Sequence, residues 1–155
     1  MGNIFHEDFR DFILALNKFQ VEYIVVGGYS VILHGYSRTT GDLDIWANKT
    51  SDNYTKLVSA FNAFGLSIFD MSEKNFLSNP DLDVFSFGRP PVSIDVLTDV
   101  KGLVFSECFP HARFQEVDGL RVRVIEYRDL VKAKKASGRP KDLDDLENLD
   151  NNQKK

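Results

Sequence analysis

Thiols are scarce in this 155-residue sequence, in which Cys108 is the single cysteine. One thiol cannot form an internal disulfide framework, and it is too few for a cysteine-based zinc site. Long apolar runs are missing too, because no stretch approaches the roughly 18 consecutive apolar residues of a membrane-spanning helix. Residues 1–6 have neither the basic start of a signal peptide nor the sixth-position hydroxyl of a myristoylation motif. We therefore expect a soluble protein of the reducing cytoplasm, without a membrane partner.

Neither sign of charge is in large excess, since 19 basic and 23 acidic residues give a net charge of −4. Hydrophobic residues make up 43% of the chain and include 13 phenylalanines, which excludes a disordered chain. At this length we expect one domain with a buried core over residues 1–150, followed by a disordered tail over residues 151–155.

The spacing of apolar residues predicts alternating helices and strands. Phenylalanines at helical spacing between Phe5 and Phe19 predict an amphipathic first helix, and Asp118-Gly119 is the strongest hairpin signal in the chain. The predicted helices cover residues 5–19, 29–34, 54–64, 127–137 and 142–149. The predicted strands cover residues 23–26, 42–47, 67–69, 84–87, 92–97, 114–117 and 120–125. This order predicts an α/β (α+β) fold with a short, mixed, twisted sheet and helices mainly on one face.

Two glycines and two aspartates make the most informative pattern in the chain. Gly27 and Gly28 follow the apolar run 23–26, where they let the backbone turn sharply and bring its N–H groups close to an anion. Thirteen residues separate Gly28 from Asp42, and Asp44 follows two positions later. Side chains at i and i+2 of a strand point to one face, so both carboxylates can hold Mg²⁺ against the same phosphates.

Each half of this pattern has a plainer explanation. A glycine turn followed by an edge strand with solvated aspartates produces the same residues. The two halves together favour a site, because Leu43, Ile45 and Ala47 alternate with the acids. A strand buried through these apolar residues carries both acids on its other face.

Here the residues resemble the nucleotidyltransferase superfamily, whose signature joins an apolar-Gly-Gly/Ser turn to an Asp-apolar-Asp/Glu-apolar strand. Residues 27–44 look more specifically like small bacterial proteins related to AbiEii-type toxins. The likeness continues through residues 89–98 and 137–143, so it covers most of the chain. The resemblance implies the nucleotidyltransferase fold, with an NTP as substrate.

The resemblance also implies roles for individual residues. Gly27 and Gly28 match the turn that contacts the β- and γ-phosphates, and Asp42 and Asp44 match the first two metal-binding carboxylates. Asp95 matches the third carboxylate, which helps to bind the catalytic metal and to activate the acceptor hydroxyl. Three aspartates on neighbouring strands suit Mg²⁺ (or Mn²⁺), and a pair of such ions can stabilise the attacking and leaving oxygens of an in-line displacement.

Asp95 has an alternative role as a strand cap or turn residue. Ile94 and Val96 flank it in an apolar run without glycine or proline, which favours a position inside the strand. Asp81 and Asp83 repeat the acid spacing without an upstream Gly-Gly turn. We interpret this second pair as solvated residues at the start of a strand.

Further candidates surround the acids. Arg38 lies in the loop between the glycines and the aspartates, where it can reach a phosphate oxygen or form a salt bridge with a catalytic aspartate. Thr40 is a candidate for a hydrogen bond to the triphosphate, with a turn-forming role as the alternative. Tyr29, directly after the glycines, joins the nucleotide-binding set. We interpret His34 as a packed or capping residue, and Trp46 as core.

Basic residues are concentrated between Arg121 and Lys141, where eight bases and two acids give a local charge of +6. Such a stretch can hold a triphosphate or an RNA backbone, although a solvated helix face explains most of these lysines. Arg139, Lys141 and Lys132 are the candidates for phosphate contacts.

These observations predict Mg²⁺-dependent transfer of a nucleoside monophosphate from an NTP to a hydroxyl, with release of pyrophosphate. The toxin resemblance implies the 3′ end of tRNA as the acceptor and an antitoxin protein as a partner, and we expect no readout of DNA sequence. The alternatives are an AMP transferase acting on a protein hydroxyl, a transferase acting on a small molecule such as an antibiotic, and a nucleotide-binding module without catalysis.

Overall fold

The computed structural model of the protein describes residues 5–36, 38–89 and 92–153. Ser37, Pro90 and Pro91, which belong to the segments of family resemblance, lie outside these ranges, as do residues 154 and 155 of the predicted tail. The helices are α1 (Glu7–Lys18), α2 (Gly27–Leu33), α3 (Ser51–Phe64), α4 (Glu73–Ser78), α5 (Phe105–Cys108), α6 (Tyr127–Ser137) and α7 (Pro140–Gln153). The strands are β1 (Tyr23–Val26), β2 (Asp42–Ala47), β3 (Val84–Arg89), β4 (Val92–Leu97), β5 (Arg113–Val117) and β6 (Leu120–Val124).

The strands form one mixed, six-stranded sheet in the order β3-β4-β2-β1-β6-β5. β2 pairs antiparallel with β1 and parallel with β4, while β6 pairs parallel with β1 and antiparallel with β5. β3 completes the opposite edge through antiparallel pairing with β4. The central position of β1 and β2 explains why all four residues of β1 are buried. The predicted mixed α/β architecture is confirmed.

α1 and α3 cover one face of the sheet. The apolar residues of α1 recur at helical spacing and therefore form one buried stripe. Phe12 of α1 meets Phe61 of α3 edge to face, with ring centroids 5.4 Å apart, and Phe61 contacts Phe87 of β3 at 4.8 Å. Thr50 caps the start of α3 by accepting a backbone hydrogen bond, and Gly65 ends the helix in the left-handed conformation. These aromatic contacts join the helix layer to the sheet.

The opposite face of the sheet carries α5. Trp46 of β2 is buried there, with its ring perpendicular to that of Phe105 at a centroid distance of 5.1 Å. This tryptophan belongs to the core, as the sequence indicates. α6 and α7 pack against each other after the β5–β6 hairpin.

The structure differs from the predicted elements at one strand, two short helices and the limits of α2 and α7. The predicted strand 67–69 is wrong, because Phe69 has a left-handed backbone (φ 48°) and a side chain that is 71% exposed. α4 and α5 were not predicted, since helices of 6 and 4 residues are too short to show a helical period. α2 begins at the glycines themselves, and α7 continues to Gln153, so residues 151–153 of the predicted tail are helical.

No helix within the described ranges combines the length and the apolar character that crossing a bilayer requires.

Candidate active site

Asp44 and Asp95 lie side by side on the parallel strands β2 and β4, at the same position of the register. Neighbouring residues in register point to the same face of a sheet, so the two carboxyl groups lie side by side. On its other side Asp44 pairs with Val26, the last residue of β1. The carboxyl pair therefore lies beside the turn that follows β1.

The two carboxyl groups perturb each other. Burial, followed by the charge of Asp95 and the hydrogen bond between the two groups, raises the pKa of Asp44 from 3.8 to about 7. The charge of Asp42 raises this pKa further, while Lys141 opposes the shift. Like-charged acids held this close cannot both ionise freely unless a cation is nearby.

Asp42 precedes Asp44 by two residues on β2, so its side chain lies on the same face of the sheet. It pairs with Ser93 of β4, whose hydroxyl Oγ donates a hydrogen bond to Asp42 Oδ1 at 2.7 Å. Asp42 is exposed, and this bond restricts the rotation of its carboxylate. Ser93 is thus a positioning residue for Asp42.

The glycine turn is packed against these side chains. Gly27 has a left-handed backbone (φ 67°), and a Cβ atom there would overlap Oδ2 of Asp44. A Cβ atom on Gly28 would lie 2.5 Å from Thr40 Oγ1 and 3.1 Å from Arg38 Nη2. The absence of both side chains lets the acids, the hydroxyl and the guanidinium surround the first turn of α2.

A chain of ion pairs forms the opposite wall of the site. Arg38 Nε lies 3.1 Å from Asp145 Oδ1, and Asp145 Oδ2 lies 3.1 Å from the buried ammonium of Lys134. Lys134 also contacts Asp142 Oδ1 at 3.0 Å, and Asp142 Oδ2 contacts Arg139 Nε at 2.7 Å. This network connects the loop before β2 to the start of α7.

A cavity of about 260 Å³ separates the glycine turn from the ion-pair network, whose bases Arg38, Lys134 and Arg139 we call the basic wall. Gly27 and Asp44 line one side of it, while Lys134, Arg139 and Asp142 line the other. The carboxyl group of Asp44 therefore shares one cavity with the guanidinium of Arg139 and the ammonium of Lys134. That arrangement suits a ligand with negative phosphates and a bound cation.

The carboxyl oxygens are hard donors of the kind that Mg²⁺ or Mn²⁺ prefers. Within the described ranges, neither Asp44 nor Asp95 has a lysine or arginine nitrogen within 4.0 Å. Over the same residues, no three His, Cys, Asp or Glu side chains form a complete ligand cluster. The residues fit a cation as a two-carboxylate core, to which Asp42 and substrate phosphates would add ligands.

A family model described as "Nucleotidyltransferase of unknown function (DUF6036)" matches residues 6–152. The chain belongs to this family. No curated protein sequence matches it significantly. The narrower resemblance to AbiEii-type proteins stays a prediction.

Solved structures share the fold of this DUF6036 protein at low sequence identity. The crystal structure of a proposed nucleotidyltransferase from Thermotoga maritima aligns with a TM-score of 0.60 and 16% identity, covering 93% of this chain and 91% of its own. An antigenic nucleotidyltransferase-like protein from Paracoccidioides brasiliensis aligns with a TM-score of 0.51 and 14% identity, covering 92% and 74%. At such identities the likeness establishes the nucleotidyltransferase fold.

Two candidates from the sequence do not reach the site with their side chains. The ring of Tyr29 is buried against Phe5 and Phe9, with centroids 4.8 Å and 5.7 Å away, because it lies on the core side of α2. Lys132 is exposed on α6 and does not line the cavity. Arg38 does form a salt bridge, but its partner is Asp145 on α7 and not Asp42, Asp44 or Asp95.

The structure brings other candidates together near Asp44. Asp42, Asp44 and Asp95 share one face, Thr40 lies against Gly28, and Arg139 lines the cavity. Lys141 acts on Asp44 through its charge. Away from the site, His34 contacts the backbone oxygen of Ile125 through Nε2 at 2.7 Å, as a packed histidine.

Lys134 and Asp145 were not predicted as site residues. Lys134 is one of several lysines in a basic stretch, and nothing in that composition distinguishes it. The helical period does contain a signal, because Lys134 follows the buried Leu130 by four residues and so lies on the same helix face. Asp145 meets Arg38 across 107 positions of sequence, a pairing that only the fold creates.

Proposed function

We propose that this protein transfers a nucleoside monophosphate from an NTP to a hydroxyl group of an acceptor and releases pyrophosphate. The observation that carries the proposal is the Asp44–Asp95 pair, packed against the Gly27 turn on a nucleotidyltransferase fold. Membership of a nucleotidyltransferase family supports the same reaction class.

The carboxylates have distinct tasks in this reaction. Asp44, which lies against both Asp95 and the glycine turn, would hold the cation, and Asp42, oriented by Ser93, would assist it. Mg²⁺ bound there would offset the charge of the triphosphate and of the departing pyrophosphate. In its ionised form, Asp95 accepts the proton of the attacking hydroxyl.

The reaction is a displacement at the α-phosphorus of the NTP. The acceptor oxygen forms a bond to the α-phosphorus of the NTP, while the bond from that phosphorus to the α,β-bridging oxygen breaks. Pyrophosphate leaves with the electron pair, and the hydroxyl proton passes to Asp95 and then to water. The NTP and the hydroxyl are the only species consumed.

The basic wall supplies the countercharge for the triphosphate. Arg139 forms a salt bridge with Asp142, yet its side chain is 67% exposed. Its guanidinium therefore keeps donors free for phosphate oxygens. Arg38 lies beside Gly28 and Thr40, where it faces the same turn. Lys141 adds a positive charge near Asp44. The backbone of Gly27 and Gly28 offers close approach without a side chain.

A labelling experiment tests the proposal and identifies the acceptor. Purified protein is incubated with Mg²⁺, each α-³²P-labelled NTP, and total cellular RNA and protein, and the products are resolved on gels. We expect label on one acceptor class with the wild type and with Asp83→Asn, an exposed acid outside the site, and none with Asp44→Asn. Equal labelling by Asp44→Asn would overturn the proposal. The predicted tRNA acceptor and antitoxin partner stay predictions.

A further inference from the structure

A second cavity, of about 450 Å³, lies at the start of β1, between the end of α1 and the β5–β6 hairpin. It shares no lining residue with the cavity at Asp44. The hairpin is held against α1 because Asn17 donates a hydrogen bond to the Arg121 backbone oxygen at 2.7 Å. Tyr23 contributes its hydroxyl, which accepts from the Arg123 backbone N–H at 3.2 Å. The floor of this second cavity is therefore a built part of the fold.

Two arginines and an aromatic ring dominate its opening. The guanidinium groups of Arg121 and Arg123 each lie 4.3 Å from the ring centroid of Phe114, and Arg123 also lies 4.3 Å from the ring of Phe109. Phe114 is 40% exposed, although it is a large apolar residue. Among the described residues, no carboxylate lies within 4.0 Å of either guanidinium.

The charge around this cavity is positive. Arg121, Arg123 and Lys56 line it together with one acid, Glu22, whose carboxylate accepts a hydrogen bond from Asn48 at 2.9 Å. Guanidinium groups that stack on rings keep their edges available for phosphate oxygens. The rings and the guanidinium planes together offer flat surfaces on which bases can stack. Single-stranded nucleic acid matches both features, whereas an acidic peptide matches the charge alone.

The arginines lie on the same sheet face as the acids. Val26 pairs with Asp44, and Val25 pairs with Val124 of β6, so the alternation along β6 places Arg123 on the face of Asp44. The second cavity is at the start of β1 and the acids are at its end, roughly 10 Å apart along the strand. A strand of a few nucleotides spans that separation.

We propose that Arg121, Arg123 and Phe114 form a subsite for single-stranded RNA, which holds the acceptor while its terminal hydroxyl enters the Asp44 site. The acceptor role rests on the proposed nucleotidyl transfer. The existence of the subsite does not rest on that reaction, because RNA binding alone tests it.

Fluorescence anisotropy with a labelled, unstructured oligoribonucleotide measures the subsite directly. Arg121→Gln/Arg123→Gln is expected to weaken binding by at least about tenfold at low salt, since two phosphate contacts are lost. Phe114→Leu keeps an apolar cover but removes the ring, and we expect roughly five- to tenfold weaker binding. Arg128→Gln/Lys135→Gln, which removes two exposed positive charges of α6, has the same change of charge; it is the matched control and should bind like the wild type. Thermal unfolding of each variant establishes that it is folded.

The outcomes separate the subsite from the reaction. Equal RNA binding by the double arginine variant and the control, or competition by poly-aspartate as strong as by RNA, would overturn the subsite. RNA labelling by the wild type with an unchanged KM for RNA in the double variant would overturn its acceptor role and leave the transfer reaction standing. Arginine-dependent binding by a protein that labels nothing would support the subsite and contradict the proposed function.

Discussion

Gly27 and Asp44 are in such close contact that a Cβ atom on residue 27 would overlap Oδ2 of the carboxyl group. The glycine also has a positive φ of 67°, a conformation that other residues adopt at a cost. The turn after β1 and the carboxyl pair are therefore one structural unit. A side chain added at residue 27 must move the carboxyl group of Asp44.

Gly27→Ala is expected to displace the carboxylate of Asp44 and to abolish nucleotidyl transfer. The variant combines backbone strain with a steric overlap, so we expect destabilisation by about 2 kcal/mol or more. The measurements are the free energy of unfolding by denaturant and the rate of label transfer.

Gly65→Ala separates the two effects. Gly65 also has a positive φ, 89°, but a Cβ atom there would have no heavy atom within 4 Å. This control should lose about 1 kcal/mol from strain alone and keep full activity. Equal losses of stability and activity in the two variants would contradict the steric coupling of Gly27 to Asp44.

The raised pKa of Asp44 predicts that stability falls as pH rises. The folded protein keeps this proton up to about pH 7, whereas the unfolded chain loses it near the ordinary value of 3.8. Between these values the unfolded state binds fewer protons, so the free energy of unfolding decreases as pH increases. Above pH 7 Asp44 is ionised in both states, and its burial lowers the free energy of unfolding by on the order of 2 kcal/mol when screening by solvent is included.

Asp44→Asn removes this penalty and should stabilise the protein more at pH 8 than at pH 4. Thermal unfolding at a series of pH values measures the difference from the wild type. Asp83→Asn, which changes an exposed acid directly before β3, should follow the wild-type profile. A constant difference between Asp44→Asn and the wild type at all pH values would show that Asp44 does not titrate as described.

Lys134→Met is expected to destabilise the protein by about 3 kcal/mol, because it removes one partner of a buried ion-pair network. Burial raises the pKa of Asp142, but hydrogen bonds from Arg139, Ser137 and Lys134 outweigh it and hold that pKa well below its ordinary value. The network therefore stabilises the fold at neutral pH and weakens as Asp142 is protonated in acid.

Lys135→Met provides the matched control, since Lys135, the residue next to Lys134 on α6, is exposed. It should change the free energy of unfolding by less than about 0.5 kcal/mol. Denaturant titration of both variants decides whether burial of the ammonium group, and not the loss of a lysine, is responsible.

Ser93→Ala frees the Asp42 carboxylate from its 2.7 Å hydrogen bond. We expect the Mg²⁺ concentration that half-saturates transfer to rise by about tenfold or more, with little change in stability. Ser93→Thr keeps the hydroxyl and should restore the wild-type value. An unchanged Mg²⁺ dependence in Ser93→Ala would remove Asp42 from the metal site.

Local patterns predicted the parts of this fold that depend on neighbours in sequence. The alternation around Asp42 and Asp44 predicted the strand and the face of the acids, and Asp118-Gly119 predicted the hairpin, whose turn residues both have positive φ. A run of three residues ending at Phe69 resembled a strand, but local preference could not show that no partner strand is available there.

Pairings between distant segments could not be read from such patterns. The partner of Arg38 is 107 positions away, and burial of Lys134 depends on how α6 packs against α7. Tyr29 was expected at the nucleotide because it follows the glycines, yet the direction of α2 places its ring in the core. The sequence predicted which acids share one face of the sheet, whereas tertiary packing determined which basic side chains lie near them.

The most direct test of the carboxyl pair is pyrophosphate release in the presence of Mg²⁺, NTPs and an acceptor pool of RNA and protein. Wild type, Asp44→Asn, Asp95→Asn and the exposed-site control Asp83→Asn are compared after each is shown to be folded. We predict a loss on the order of 100-fold or more in both site variants and none in the control. Wild-type rates in Asp44→Asn and Asp95→Asn would contradict a catalytic role for the pair.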